Sequence, residues 1–517
     1  MLLQRRPVFA SFAALSAVLA LVPARAETGT YNVLDYGAVP DGKTMNTAAF
    51  AKTVDACAQA NGGIILVPAG HYLTGSVQLK SNMTLRLDPG SELLYSGNPS
   101  DSPVVASRWE DTSAYIHAPL VYAADAVNVA VVGRGTLNGQ GWNWWWRSGK
   151  RERGKFGAVQ AAHDAWLKLY DRIEAGEKPA ASEFALADDY LRPPLVLLNG
   201  CKNVLIEGVT LRESPMWMLH PLYCEDVVIR GVRFDSTGPN GDGVDIDSSR
   251  DVRISDCFFN TGDDCIVIKS GRDADGRRIN RPTEHVSITN CVMYKGHGAI
   301  AIGSETSGGI RDVVADNIVS RGTDYGIRIK SQRGRGNIIE NLRFSNFVID
   351  EPRVNAIEIT ALYMHQPEEP LSVRTPIFRN LAFSNFTIVN AAQVANIRGL
   401  PEKAFEQIRF TDLTATGKKG MICDHTDDLE LHQVRIGATV GSAFNFDQVH
   451  TLELDDVTSM APLGAEPVIS LKNSTEVWLH ASRAAVGTVV FVRDQDAAGE
   501  LKLGDNNLSA ARTPVAR

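Results

Sequence analysis

A short phrase recurs from the middle of the chain onward, at intervals of 21 to 39 residues. Each copy runs from an apolar residue through a variable one to a Gly, Asp, Asn or Gln, and usually ends on a second apolar residue. The copies begin at Ile206, Ile229, Ile254, Ile288, Val314, Phe344, Phe383, Phe410, Leu431 and Leu454. A period in the twenties with occasional insertions predicts a solenoid, which grows by stacking repeats rather than by adding domains.

The composition of each repeat indicates strands. The segments are short, rich in Val, Ile and Phe, and alternate with period two, and helix-length amphipathic stretches are absent from this region. We therefore predict an all-β parallel β-helix, with residues 27–517 as a single domain. Residues 46–60 form an amphipathic pattern with apolar Phe50, Val54, Cys57 and Ala58. We expect them to be a helix that caps the first coil, because the ends of a solenoid need covering.

A long segment at about residues 138–194 interrupts this rhythm. It holds Trp142, Trp144, Trp145 and Trp146, followed by a helical pattern over 159–175. Insertions in solenoids form loops on one face, which is often the binding face. The tryptophans fit two interpretations, a small hydrophobic core for the insertion itself or an aromatic wall against a ligand ring.

The first 26 residues have the pattern of an export signal. Arg5 and Arg6 give a positive start, an apolar run covers 9–22, and Ala24-Arg25-Ala26 is a cleavage site. We expect a periplasmic or secreted protein, exported by the general or the twin-arginine route. No later stretch approaches ~20 apolar residues, so no membrane contact is expected after cleavage.

Charge and cysteine usage exclude two classes of function. The formal charge is −8, whereas nucleic-acid binders normally carry a basic face, so no nucleic-acid partner is expected. The seven cysteines show no C-x-x-C pair and no Cys/His metal spacing, which argues against a zinc site. We interpret most of them as small buried hydrophobes.

The repeat also aligns side chains across four coils, at residues 241–247, 263–269, 297–303 and 324–330. Two aligned columns are aliphatic in every coil and are predicted to face the core, so that period-two alternation sends the columns between them outward. The outward columns hold Asp245, Val267, Ala301 and Arg328, then Asp247, Lys269, Gly303 and Lys330. Arg328 and Lys330 could bind an acidic ligand or balance the charges of the outward aspartates.

Carboxylates collect in the turn just before this strand. Since coils lie ~4.8 Å apart, we expect Asp242 beside Asp264, and Asp263 beside His297. Like-charge repulsion should raise the pKa of at least one carboxyl, which gives the protonated acid and ionised base that glycoside hydrolysis needs. A calcium site or solvated turn aspartates is the alternative. Because calcium prefers oxygen ligands, His297 argues against it, and we predict no metal or cofactor.

Four tripeptides occur in order on these coils, Asn240-Gly241-Asp242, Gly262-Asp263-Asp264, Gly296-His297-Gly298 and Arg328-Ile329-Lys330. Together they resemble the signatures of the polygalacturonases, glycoside hydrolase family 28. The one departure is Gly241, where the family has Thr. Each tripeptide alone is a weak signal, but four in order at coil spacing are a strong one.

The resemblance implies a right-handed, pectin-lyase-like β-helix that cleaves α-1,4-galacturonosyl linkages by metal-independent, inverting hydrolysis. It implies that Asp263 is the general acid, that Asp242 and Asp264 are bases, and that His297 tunes the protonation of Asp263. The residues expected to bind the galacturonate are Arg328, Lys330, Asn240, Lys269 and Tyr363, the last without a flanking motif to fix its alignment.

The mode of attack, the substrate class and the class of protein each have an alternative. The long insertion favours exo action on polygalacturonate, since it would wall off one end of a cleft, and we expect a monomer. A rhamnogalacturonan or other decorated-pectin hydrolase of the same family is the alternative substrate class. A calcium-dependent pectate lyase and a non-catalytic glycan-binding β-helix are alternatives from other classes.

Overall fold

The computed structural model describes residues 29–148, 156–364, 366–495 and 501–517. The predicted export signal lies outside these residues and stays a prediction. None of the helices in the described ranges is long and apolar enough to cross a membrane.

The chain is a right-handed parallel β-helix, as predicted. Each coil contributes strands to three parallel sheets, and each strand pairs with its equivalent in the next coil, as along Val204, Val227, Val252 and Val286. The strands are Gly29–Asn32, Asp41–Met45, Gly63–Val67, Gly70–Thr74, Val77–Leu79, Met83–Leu87, Ser91–Tyr95, Val104–Trp109, Thr112–His117, Val121–Ala124, Val127–Gly133, Thr136–Asn138, Val196–Asn199, Lys202–Glu207, Thr210–Arg212, Leu219–Leu222, Glu225–Arg230, Arg233–Ser236, Val244–Asp247, Arg250–Ser255, Phe258–Thr261, Ile266–Lys269, Thr283–Tyr294, Gly298–Ile302, Ile310–Arg321, Tyr325–Lys330, Ile338–Asp350, Asn355–Thr360, Ile377–Arg398, Phe405–Asp455, Thr458–Ser459, Ile469–Lys472, Thr475–His480, Val490–Asp494, Lys502–Gly504 and Thr513–Ala516.

Helices lie outside the coils. The α-helices are Thr47–Gln59, Phe156–Glu174 and Asp273–Ile279, and the 3₁₀ helices are Val33–Tyr36, Pro99–Asp101, Gly141–Asn143, Trp145–Ser148 and Ala181–Ala187. The first α-helix confirms the predicted cap, because Phe50, Val54 and Cys57 are buried against the first coils.

The polar position of the repeated phrase forms a corner between two sheets. Asn290, Asn346 and Asn385 have φ values of 54°, 58° and 56°, in the left-handed region that Asn tolerates better than most residues. Their side chains also bond from coil to coil, as Asn385 Nδ2 donates to Asn346 Oδ1 at 2.5 Å. Apolar positions on either side fill the interior, where Phe383 stacks between Phe344 and Phe410 with ring centroids 5.2 and 4.7 Å away.

Two tryptophans of the insertion are buried against the coils. Trp144 is buried and stacks on Tyr95 with ring centroids 5.4 Å apart, and the buried Trp145 donates its indole hydrogen to the Ser214 carbonyl at 2.8 Å. Trp142, by contrast, is 54% exposed. Trp144 belongs to the hydrophobic core of the coils, so the interpretation of these tryptophans as a separate core for the insertion is wrong for Trp144. Other residues of the insertion form that second core, among them Trp166 and Phe184.

A hairpin that the repeat did not predict joins this insertion. Strands Val104–Trp109 and Thr112–His117 pair antiparallel, apart from the parallel sheets. Its Trp109 packs with insertion residues in a second hydrophobic cluster that also contains Trp217 of the β-helix. The hairpin and the insertion thus form one body against the coils, and its tip reaches the site described below.

All seven cysteines are buried and none forms a disulfide. This confirms their interpretation as small buried hydrophobes.

Candidate active site

The predicted alignment of the four coils is confirmed. Strands Val244–Asp247, Ile266–Lys269, Gly298–Ile302, Tyr325–Lys330 and Asn355–Thr360, here called the front sheet, pair in register. Ile266 pairs with Ile300, and Ile300 with Ile327, all fully buried in the core. Lys330 and Arg328 therefore lie on the outer side of this sheet.

Three aspartates converge in the turn that precedes the front sheet. One carboxylate oxygen from each of Asp242, Asp263 and Asp264 lies within 4.8 Å of the other two. Gly298 allows this approach, since a Cβ at this position would lie 3.0 Å from Asp264 Oδ1. The cluster that the repeat predicted is thus formed across adjacent coils.

Asp264 is buried and held in a fixed orientation. Its Oδ1 accepts a hydrogen bond from the Gly298 amide at 2.7 Å, and its Oδ2 accepts one from Lys330 Nζ at 2.8 Å. Arg328 Nη1 lies 3.8 Å from Oδ1.

Asp263 pairs with His297, as predicted. The Asp263 Oδ1 and His297 Nδ1 atoms are 3.0 Å apart, and Asp324 Oδ2 lies 3.9 Å from His297 Nε2. Burial raises the pKa of Asp263, but the hydrogen bond and the charge of His297 outweigh it and lower that pKa to about 2. The same hydrogen bond raises the pKa of His297. The two shifts favour a proton on His297 rather than on Asp263.

The pKa of Asp242 shifts in the opposite direction. Burial raises its pKa well above the ordinary range, and the charges of Asp245 and Asp263 add to this shift. Among the described residues, its Oδ1 accepts no hydrogen bond. One carboxyl of the cluster thus has a raised pKa, as the sequence predicted, whereas the pKa of its neighbour Asp263 is lowered. Burial, however, contributes more to the shift than repulsion does.

The remaining predicted site residues border the cluster. The ring of Tyr363, 37% exposed, lies 5.3 Å from the Arg328 guanidinium and 5.2 Å from Lys330 Nζ. Asn240 lines the same cavity, and its Oδ1 accepts a hydrogen bond from the buried Arg192 at 2.8 Å. Lys269 also lines the cavity, but its ammonium group is already paired with protein carboxylates.

Several residues of the cavity were missed by sequence reasoning. The cavity has a volume of about 200 Å³, and the unpredicted residues that line it are Glu110, Trp217, Arg272, Ser304, Glu305, Arg335 and Met364. Glu110 lies at the tip of the unpredicted hairpin, and the others lie outside the four aligned segments. No repeat aligns these positions, so sequence reasoning had no signal that could have found them.

The three aspartates are close enough to suggest a divalent cation, but three of their oxygens already accept hydrogen bonds from protein donors. Asp264 accepts from Gly298 and Lys330, and Asp263 Oδ1 accepts from the Asp264 amide at 3.0 Å while facing His297. Lys330 and Arg328 already offset negative charge of the cluster at Asp264. The donor set therefore fits proton transfer better than it fits a hard cation, which prefers free oxygen ligands.

Comparison with known proteins agrees with this geometry. The family model "Glycosyl hydrolases family 28" matches residues 184–430, and a second model, "Rhamnogalacturonase A/epimerase, pectate lyase-like", matches residues 30–124. A probable polygalacturonase from Vitis vinifera is 30% identical over 396 residues, which cover 74% of this chain and 73% of the relative. The chain belongs to glycosyl hydrolase family 28.

Two bacterial relatives of this chain are named as exo-acting enzymes. An exo-poly-alpha-D-galacturonosidase from Dickeya chrysanthemi is 34% identical over 64% of this chain and 57% of its own length. The crystal structure of an exopolygalacturonase from Thermotoga maritima superposes with a TM-score of 0.72 at 33% identity, covering 79% of this chain and 91% of that one.

Proposed function

We propose that this family 28 enzyme hydrolyses the α-1,4 linkages of polygalacturonate, removing sugar from a chain end. The observation that carries the proposal is the cluster of Asp242, Asp263 and Asp264 directly beside Arg328 and Lys330 on the front sheet. Acid and base groups therefore lie beside two cations, so the site suits a glycoside that bears a carboxylate.

The hydrolysis needs one proton for the leaving oxygen and one base for water. Asp263 gives the proton to the glycosidic oxygen as the bond to the anomeric carbon breaks. Asp264, together with Asp242, takes the proton of the water that attacks this carbon. The products are two saturated sugars, and the anomeric configuration is inverted.

This assignment requires the site to change its protonation from that of the free enzyme. Asp263 must receive the proton of His297, whose Nδ1 is 3.0 Å away, and Asp242 must lose its own. The carboxylate of a bound galacturonate drives the first change, because it neutralises Arg328 and Lys330, and Lys330 is one of the charges that lower the pKa of Asp263.

These two proton positions predict a bell-shaped dependence of kcat/KM on pH. Activity falls at low pH, where Asp242 with its raised pKa keeps its proton. It falls at high pH, where His297, with its own raised pKa, loses the proton it shares with Asp263. The two limbs therefore report two different groups.

The hairpin beside the cavity supports exo action. The hairpin tip brings Glu110 to the cavity, and the hairpin packs on the inserted helix Phe156–Glu174 through Trp109 and Trp166, whose ring centroids are 5.3 Å apart. A chain end fits against such a wall, whereas an open cleft is needed to bind the middle of a polymer. The exo-acting names of the two bacterial relatives agree with this interpretation.

Product chemistry separates this proposal from a lyase. With polygalacturonate, we expect new reducing ends without the ultraviolet absorbance of unsaturated sugars, and unchanged rates in excess chelator. Absorbance that grows with turnover, or loss of activity to the chelator that calcium restores, would show a calcium-dependent lyase instead. Rhamnogalacturonan serves as the control substrate, and preferential release of sugar from it would reassign the substrate class.

We also propose that the enzyme acts outside the cytoplasm, where a polymeric pectin is accessible. The predicted leader supports this, and the exported protein should begin at Glu27. An intact leader on the active protein would contradict it.

A further inference from the structure

A buried lysine lies at the floor of the cavity, surrounded by acids from three separate parts of the chain. Lys269 is 7% exposed, and its Nζ lies 3.1 Å from Asp245, 3.4 Å from Asp111 and 3.9 Å from Glu305. The ring of Trp217 covers it, with Nζ 4.0 Å from the ring centroid. These contacts leave the ammonium little freedom to turn toward a sugar.

The acids around this lysine depend on it. Asp111 and Asp245 are fully buried, and apart from the Lys269 ion pairs their oxygens have no hydrogen-bond partner among the described residues. A buried carboxylate without such partners is costly unless a counter-ion stabilises it. Glu305 differs, because Arg335 Nη2 lies 3.0 Å from its Oε1 and shares its charge.

We infer that Lys269 is a positioning residue rather than a substrate ligand, and that Asp111 and Glu305 set how much of its positive charge reaches the catalytic Asp242. Asp111 comes from the hairpin, 158 positions before Lys269 in the sequence, so this part of the site exists only when the hairpin docks on the coils. The inference rests on the proposed function, since it assigns Asp242 as a base.

The charged groups near Asp242 determine the direction in which its pKa shifts. Negative charge comes from Asp245, Asp263 and Asp264, and positive charge comes from Lys269, with Arg192 also within electrostatic range. Lys269 lowers the pKa of Asp242, while Asp111, Asp245 and Glu305 hold the lysine charged. Removing an acid that competes for Lys269 therefore lowers the pKa of Asp242, and removing Lys269 raises it.

Removing the acid and removing the lysine of this ion pair should therefore move the acidic limb of the kcat/KM profile in opposite directions. With Asp111→Asn, we expect that limb to move to lower pH by about 0.5 to 1 unit. With Lys269→Met, we expect it to move to higher pH, with kcat/KM at the optimum about tenfold lower. Glu305→Gln should move the limb in the same direction as Asp111→Asn, and it replaces that variant if Asp111→Asn does not fold.

The matched control is Glu225→Gln, an acid that also binds two cations, Arg250 at 2.7 Å and Lys202 at 3.2 Å, on a sheet away from the cavity. It should leave both limbs in place. Thermal unfolding checks that each variant is folded. A wild type that releases no sugar from polygalacturonate sinks the proposed function. The inference is overturned if the wild type releases sugar but Asp111→Asn and Lys269→Met move the limb in the same direction, or do not move it. That result leaves the proposed function standing.

Discussion

Replacing Asp263 with Asn should leave a folded protein that releases sugar from polygalacturonate about 10² to 10⁴ times more slowly, the usual contribution of a general acid. An asparagine keeps the size of the side chain and can still accept the hydrogen bond from the Asp264 amide. It cannot deliver a proton to the leaving oxygen. The measurement is kcat on polygalacturonate, with KM changing much less than kcat.

Two comparisons make this result specific. Asp324 also faces His297, at 3.9 Å, and pairs with Arg353 at 2.9 Å, so Asp324→Asn removes a charge from the same histidine without touching the cluster and should cost far less. The loss in Asp263→Asn should also shrink on an aryl galacturonide, because an acidic phenol leaves without protonation. Near-normal activity of folded Asp263→Asn on the polymer would reject Asp263 as the acid.

The second large effect is expected of Lys330→Met. Lys330 Nζ is the 2.8 Å partner of the buried Asp264 and faces the cavity from the front sheet. Its loss leaves Asp264 with Arg328 at 3.8 Å as the nearest cation and takes one cation from the substrate carboxylate. We expect kcat/KM to fall by about 10²-fold or more, and the free energy of unfolding to drop by about 3 kcal/mol, as when one partner of a buried ion pair is removed.

Arg328→Met is the control for this prediction. Its guanidinium lies farther from Asp264, so we expect mainly a higher KM, with kcat and the free energy of unfolding less affected. If Lys330→Met instead raises KM alone and unfolds like the wild type, Lys330 binds substrate without holding Asp264.

The register of the front sheet could be predicted because its sequence pattern repeats from coil to coil. Aliphatic columns such as Ile266, Ile300 and Ile327 fix the register, and a fixed register places Asp242, Asp263, Asp264 and His297 in one turn. The capping helix was equally predictable, since its apolar face has the period of a helix.

The surroundings of the cluster could not be predicted in this way. The hairpin Val104–His117 lies between coils and carries no repeat, so nothing in the sequence indicated that Asp111 would meet Lys269. Lys269 therefore had the pattern of an outward, substrate-binding lysine, whereas the structure surrounds it with acids. Which carboxyl has the raised pKa was also not predictable, because that depends on burial and on which cations lie nearest.

The most direct test of the whole account is the time course of products from polygalacturonate, separated by anion-exchange chromatography. We predict that saturated monogalacturonate is the product from the earliest samples, while the remaining polymer stays long. A ladder of intermediate oligomers in those samples would contradict action at the chain end. Unsaturated products would contradict hydrolysis by the aspartate cluster.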